Sequence, residues 1–137
     1  MGALTVKSYA KGVTQSPRKV AIVAALIRGR SVEDALVILD HTPRRAALVV
    51  KKAIESARAN ALHNHNLDAK DMMIETISVT SGKRLKRYIP ASRGRALPFE
   101  KKQSNILVEV SGFEKVKPAK KAETKTTVTT SSKKESK

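Results

Sequence analysis

The chain has no cysteine and no tryptophan, and only two tyrosines and two phenylalanines among its 137 residues. Without cysteine, disulfides and thiolate metal sites are excluded, which fits a reducing compartment. Without aromatic bulk, a core must be built from Val, Ile, Leu and Ala. Acidic side chains are scarce as well: 12 against 28 Lys and Arg, a formal net charge of +16. No apolar run approaches the roughly 20 residues that a membrane-spanning helix needs. The opening MGALTVKSYA has no signal-peptide apolar region. Its Met-Gly start lacks the Ser or Thr of a myristoylation signal, since Val6 stands there. These features point to a cytoplasmic protein, or to one facing an organelle matrix after removal of a transit peptide.

Catalytic signatures are missing too. Ser16 and Ser31 stand where helix N-caps are wanted, and neither lies in a Gly-x-Ser-x-Gly elbow. There is no phosphate-cradling glycine loop. The carboxylates are scattered, with no pair for acid–base or two-metal chemistry. His63 and His65 are two apart, a spacing that does not bring side chains together on a helix, and the third histidine, His41, is distant in sequence. No enzyme class, metal or cofactor is supported.

What is there is positive charge, unevenly placed. Residues 1–82 carry a net +5, residues 83–102 a net +7, residues 103–114 a net −2 and residues 115–137 a net +6. The segment 83–102, KRLKRYIPASRGRALPFEKK, holds eight cations (Lys83, Arg84, Lys86, Arg87, Arg93, Arg95, Lys101, Lys102) and one acid, Glu100. Charge runs are often no more than solvated faces. Here they alternate with Leu85, Tyr88, Ile89, Ala91, Ala96, Leu97 and Phe99, which suit packing on bases and sugars. Such a segment calls for a polyanion, and nucleic acid fits best.

The flanking sequence supplies a scaffold. LTVKSYAK at 4–11 alternates, placing Lys7 and Lys11 on the outer face of a half-buried strand that Gly12 ends. Ser16-Pro17 opens a first helix. Arg18 and Lys19 lead it, VAIVAALI makes it apolar all round and buried on every side, and Arg28-Gly29-Arg30 closes it. Ser31 caps a second helix, with Asp34 at the capping-box position. Thr42-Pro43 starts a third, Ala-rich helix that runs to about His65, with Arg44 and Arg45 on its polar face. Met73–Val79 and Ile106–Val110 alternate as two further strands, and the cationic segment folds back near Ile89–Ser92 to join them. The fold class expected is α+β: three helices packed on a small three-stranded antiparallel sheet, with a long projecting β-hairpin arm at about 80–104. Pro90, Gly94 and Pro98 should keep the distal arm from holding itself rigid alone. Residues 1–114 form one domain, and the Thr/Ser/Lys-rich tail 115–137 has too little apolar content to fold. The tail also lacks the apolar anchor of a membrane tether.

The runs SPRKVAIVAALIRGRSVEDALVIL, TPRRAALVVKKAIESARANALHNHNLD, LKRYIPASRGRA and SNILVEV resemble the bacterial large-subunit ribosomal protein twenty-two family, in unbroken order over about 5–111. The resemblance implies a structural protein that binds large-subunit ribosomal RNA, helps its assembly and lies among neighbouring ribosomal proteins. It implies that the eight cations of the arm, with Arg18, Lys19, Arg28 and Arg30 on the body, meet RNA. It also implies that the tip (Arg87, Tyr88, Ile89, Pro90, Ala91, Ser92, Arg93) faces the nascent peptide in the exit tunnel. The family's usual tip, Pro-Arg-Ala-Lys-Gly-Arg, reads Pro90-Ala91-Ser92-Arg93-Gly94-Arg95 here, so a cation is missing at Ala91. The rival from composition alone is a clasp on duplex DNA, against which the helices show no recognition-helix pattern.

Overall fold

The computed structural model describes residues 4–68 and 71–113, and the tail 115–137 lies outside them. Strand β1 (Leu4–Val13) is followed by helices α1 (Pro17–Ile27), α2 (Val32–His41) and α3 (Arg45–His65), then strands β2 (Met73–Pro90) and β3 (Ala96–Gly112). The fold is α+β. The sheet is antiparallel in the order β1-β3-β2, so the last strand is the central one.

The core is aliphatic, as the composition required. Val20, Val23 and Ile27 of α1, Val32 and Ala35 of α2, and Val50, Ile54 and Ala57 of α3 pack on Ile74, Ile106, Val108 and Val110 of the sheet. Alanines at 46, 47, 53, 57 and 61 are all buried on α3, so the backbone of this long helix can lie close to its neighbours. The free edge of β2 is covered at its start, beside Met72 to Ile74, by the turn after α1. There Gly29 N donates to Ile74 O (3.1 Å), Ile74 N to Arg30 O (2.9 Å) and Val32 N to Met72 O (3.0 Å). An unpaired edge is a template for aggregation, and this turn occupies it.

Helix ends follow local chemistry in part: Ser16 stands at the N-cap of α1, but its side chain makes no cap bond. The Ser31 hydroxyl accepts from Asp34 N at 3.1 Å, as expected of the capping residue of α2. Thr42 does not open α3. Its hydroxyl donates to Ile38 O (2.7 Å) and its N–H to Leu39 O (3.3 Å), so it closes α2 instead. Helix α3 begins at Arg45 with Arg44 as N-cap. It ends on Asn66, whose left-handed φ of 49° turns the chain out.

Three other expectations need correction. Helix α1 is not buried all round: Ile22 and Leu26 are 52% and 47% exposed, because the sheet and α3 cover only one side. Gly12 does not end β1 but carries it through an irregularity to Val13, with its own φ at +68°. In β2 the simple alternation breaks at a bulge between Ile74 and Thr76. The extra residue, Glu75, leaves Ile74 and Ile77 buried and Met73 exposed.

A candidate nucleic-acid interface

The cationic segment is built as a ladder. Beyond Ser81–Ser104, pairing of β2 with β3 shifts by one residue and then runs without a break from Arg84–Lys102 to Pro90–Ala96. The prolines therefore do not disrupt pairing. This part of the sheet has only two strands, so each is an edge strand, where proline is tolerated. The chain reverses through Ala91–Arg95, a little later than the sequence suggested. Ala91 N donates to Arg95 O (2.7 Å), and Arg93 and Gly94 take left-handed φ of 59° and 69°. Glycine adopts that region freely, whereas Arg93 gives up roughly 1–2 kcal/mol to do so.

Directly paired residues share a face. One face therefore carries Arg84, Lys86 and Tyr88 with Lys102, Glu100 and Pro98. The other carries Leu85, Arg87 and Ile89 with Lys101, Phe99 and Leu97. Both faces mix cations with flat or branched apolar groups, and nearly every side chain from Lys83 to Lys102 is exposed. Among the described residues, Arg84 alone of these cations finds a carboxylate, Glu100 at 3.6 Å. Arg87 Nη1 donates to its neighbour's carbonyl, Lys86 O, at 2.8 Å.

The sheet turns into this hairpin at a tight corner. Gly12 N donates to Asn105 Oδ1 at 3.0 Å. A Cβ on Gly82 would lie 3.2 Å from the backbone carbon of Gln103 and 3.3 Å from Asn105 Oδ1. The irregularities in β1 and β2 thus flank the same stretch of β3, which also holds the fully buried Ser104.

The body cations differ among themselves. Lys7 is tied to Glu109 at 2.9 Å, and that bond holds its ammonium above the usual lysine range. Lys11 Nζ lies 5.3 Å from the Tyr9 ring centre, a cation–π contact. Arg28 Nη2 donates to Ile77 O (3.3 Å) and Arg30 Nε to Leu26 O (3.1 Å), so both also serve the fold. Arg18 and Lys19 are exposed and make no ion pair among the described residues. In the sequence Arg44 and Arg45 read only as polar-face residues of the third helix. They stand with Lys19 around one cavity. The available signal was their position: cations at a helix start oppose the macrodipole. Among the described residues no group of three potential metal ligands occurs, and no helix is long and apolar enough to cross a membrane.

A basic α+β body that sends its central strand into a cationic hairpin defines a scaffold for meeting a large anionic partner. The model for the family Ribosomal protein L22p/L17e matches residues 8–111. The chain belongs to that family, and is thereby a structural ribosomal protein of the large subunit, located on the ribosome.

Proposed function

We propose that the protein binds large-subunit ribosomal RNA through its hairpin, supports assembly of the subunit, and lines the nascent-peptide exit tunnel with the hairpin tip. The observation that carries this reading is the two-faced ladder. Cations on both faces can neutralise phosphates on two sides at once, as an element lying between RNA segments must. Tyr88, Ile89, Leu97 and Phe99 are 40–70% exposed and offer surfaces on which unstacked bases and riboses can rest. Recognition rests on RNA shape and charge, with the body (residues 1–114) as the foundation and 80–104 as the projecting arm. Lys7, Lys11, Arg18, Lys19, Arg28 and Arg30 add body contacts. The tip, Arg87 to Arg93, meets the nascent peptide, and neighbouring ribosomal proteins pack against the body in the cytoplasm.

Ultraviolet crosslinking in intact cells, with sequencing of the attached nucleic acid, tests this. Crosslinks from residues 83–102 to large-subunit RNA around the tunnel are expected. Crosslinks to DNA or to scattered transcripts would overturn it.

A further inference from the structure

The hairpin leaves the body where both neighbours of β3 change register. From Ala10–Ile106 to Val13–Ser104, β1 advances three residues while β3 advances two. From Ser81–Ser104 to Arg84–Lys102, β2 advances three while β3 again advances two. Each neighbour thus holds one extra residue, and the two face each other across Gln103–Asn105. A bulge bends its strand and adds twist. Two of them, set across one central strand, turn the three-stranded body sheet into the two-stranded hairpin.

One side chain reaches both bulges. Asn105 Oδ1 accepts from Gly12 N, in the β1 bulge, at 3.0 Å. Gly12 meets it through a left-handed φ of +68°. The same oxygen lies 3.3 Å from the place of a Cβ on Gly82, in the β2 bulge. Glycine at 82 therefore leaves the room that this oxygen fills. The inner face adds no polar tie, since the buried Ser104 hydroxyl finds no hydrogen-bond partner among the described residues. Among those residues, no other side-chain hydrogen bond or ion pair involves 10–13, 81–83 or 102–105.

We propose that Asn105 is a positioning residue: held against both bulges, its side-chain oxygen fixes the angle at which the hairpin leaves the body. Without it the hairpin swings about Gly12 and Gly82. The lever is long. About ten residues at about 3.3 Å each put the turn about 30 Å from the corner, so a swing of about 10° moves the tip by about 5 Å. Such a shift carries a cation off its phosphate, because a charge-assisted hydrogen bond spans only about 2.7–2.9 Å. That the angle serves to aim the tip rests on the RNA and tunnel reading above, whereas the angle itself is a property of the free chain.

The chain has no cysteine, so introduced ones carry spin labels without background. Lys52→Cys on α3 and Ser92→Cys at the turn replace exposed residues and span the corner. Pulsed dipolar electron resonance on the full chain, free of RNA, should give one narrow distance distribution. Asn105→Leu keeps bulk but loses the acceptor, and should widen or displace the distribution by about 5 Å. Gly82→Ala, whose Cβ crowds the same oxygen, should do likewise. Asn105→Asp keeps an acceptor and should keep the distribution narrow. A second pair, Ser92→Cys with Lys101→Cys, lies within the hairpin and should stay narrow throughout. The proposal is overturned if Asn105→Leu matches the parent, if the parent is already as broad, or if Asn105→Asp is as broad as Asn105→Leu. Broadening of the pair within the hairpin would place the motion in the ladder and overturn it too. Should Asn105→Leu lose its cooperative thermal transition, Gly82→Ala carries the test. No outcome here depends on RNA, so the crosslinking above can fail while the corner stands, and the reverse.

Discussion

Replacing Lys86, Arg87, Lys101 and Lys102 with Gln should uncouple binding from folding. All four side chains are exposed, and none belongs to an ion pair among the described residues. If each meets one phosphate, the salt slope of RNA binding falls by about 2.8 if the RNA behaves as a single strand, or about 3.6 if it behaves as a duplex. Between about 50 and 200 mM salt, that difference amounts to roughly a hundredfold in affinity. Folding should not suffer. Lys102 sits directly opposite Arg84, and like charges facing each other across a ladder destabilise it by about 0.2–1 kcal/mol. The variant should therefore melt at the wild-type temperature or slightly above. Filter binding across a salt series and a thermal scan read the two quantities. An unchanged slope would refute phosphate contact by these residues, and loss of the cooperative transition would refute the independence of the body from its hairpin.

Four further outcomes follow from the packing and the corner. Ile54→Ala empties a site with no solvent exposure and should cost about 2–5 kcal/mol, read by denaturant unfolding. Ser104→Ala removes a fully buried hydroxyl that finds no hydrogen-bond partner among the described residues and should stabilise the fold by about 1 kcal/mol in the same assay. Asn105→Ala takes away the acceptor for Gly12 N, so the Gly12 amide should exchange hydrogen faster while the core amides of α3 keep their protection. The Lys7 ammonium is raised by its bond to Glu109, so its contribution is fully present below the unfolded lysine pKa and fades as pH rises through the higher folded one. An NMR titration of Lys7 Nζ should show the raised midpoint return towards the ordinary value in Glu109→Gln.

Much of the architecture was legible because periodicity and caps agreed. Ser31 with Asp34 marked α2, and the alanine spacing marked the buried side of α3. What failed were positions where one residue can serve two roles. The Thr42 hydroxyl can cap the helix after it or close the one before, and only the nearness of Ile38 O decides. The apolar circumference of α1 says nothing about how many sides have neighbours, and here Ile22 and Leu26 are left outside. Bulges are set by how strands twist against partners far away in sequence, so Glu75 gives no local sign of changing the phase, whereas a strand glycine such as Gly82 is a common mark of one. The hairpin cations were plain from charge clustering. Arg44 and Arg45 were not, because grouping them with Lys19 depends on the packing of α1 against α3.

The residue-by-residue ladder from Arg84–Lys102 to Pro90–Ala96 constrains how this hairpin can change length over generations. Removing one residue from a single strand turns every side chain beyond it to the opposite face. Arg87 and Phe99 would then no longer stand opposite each other. Loss of matched pairs, two from each strand, shortens the hairpin by about 7 Å and leaves both faces as they were. Length variants that preserve binding should accordingly come in balanced, even steps, while single-strand deletions should keep the body folded and scramble what its tip presents.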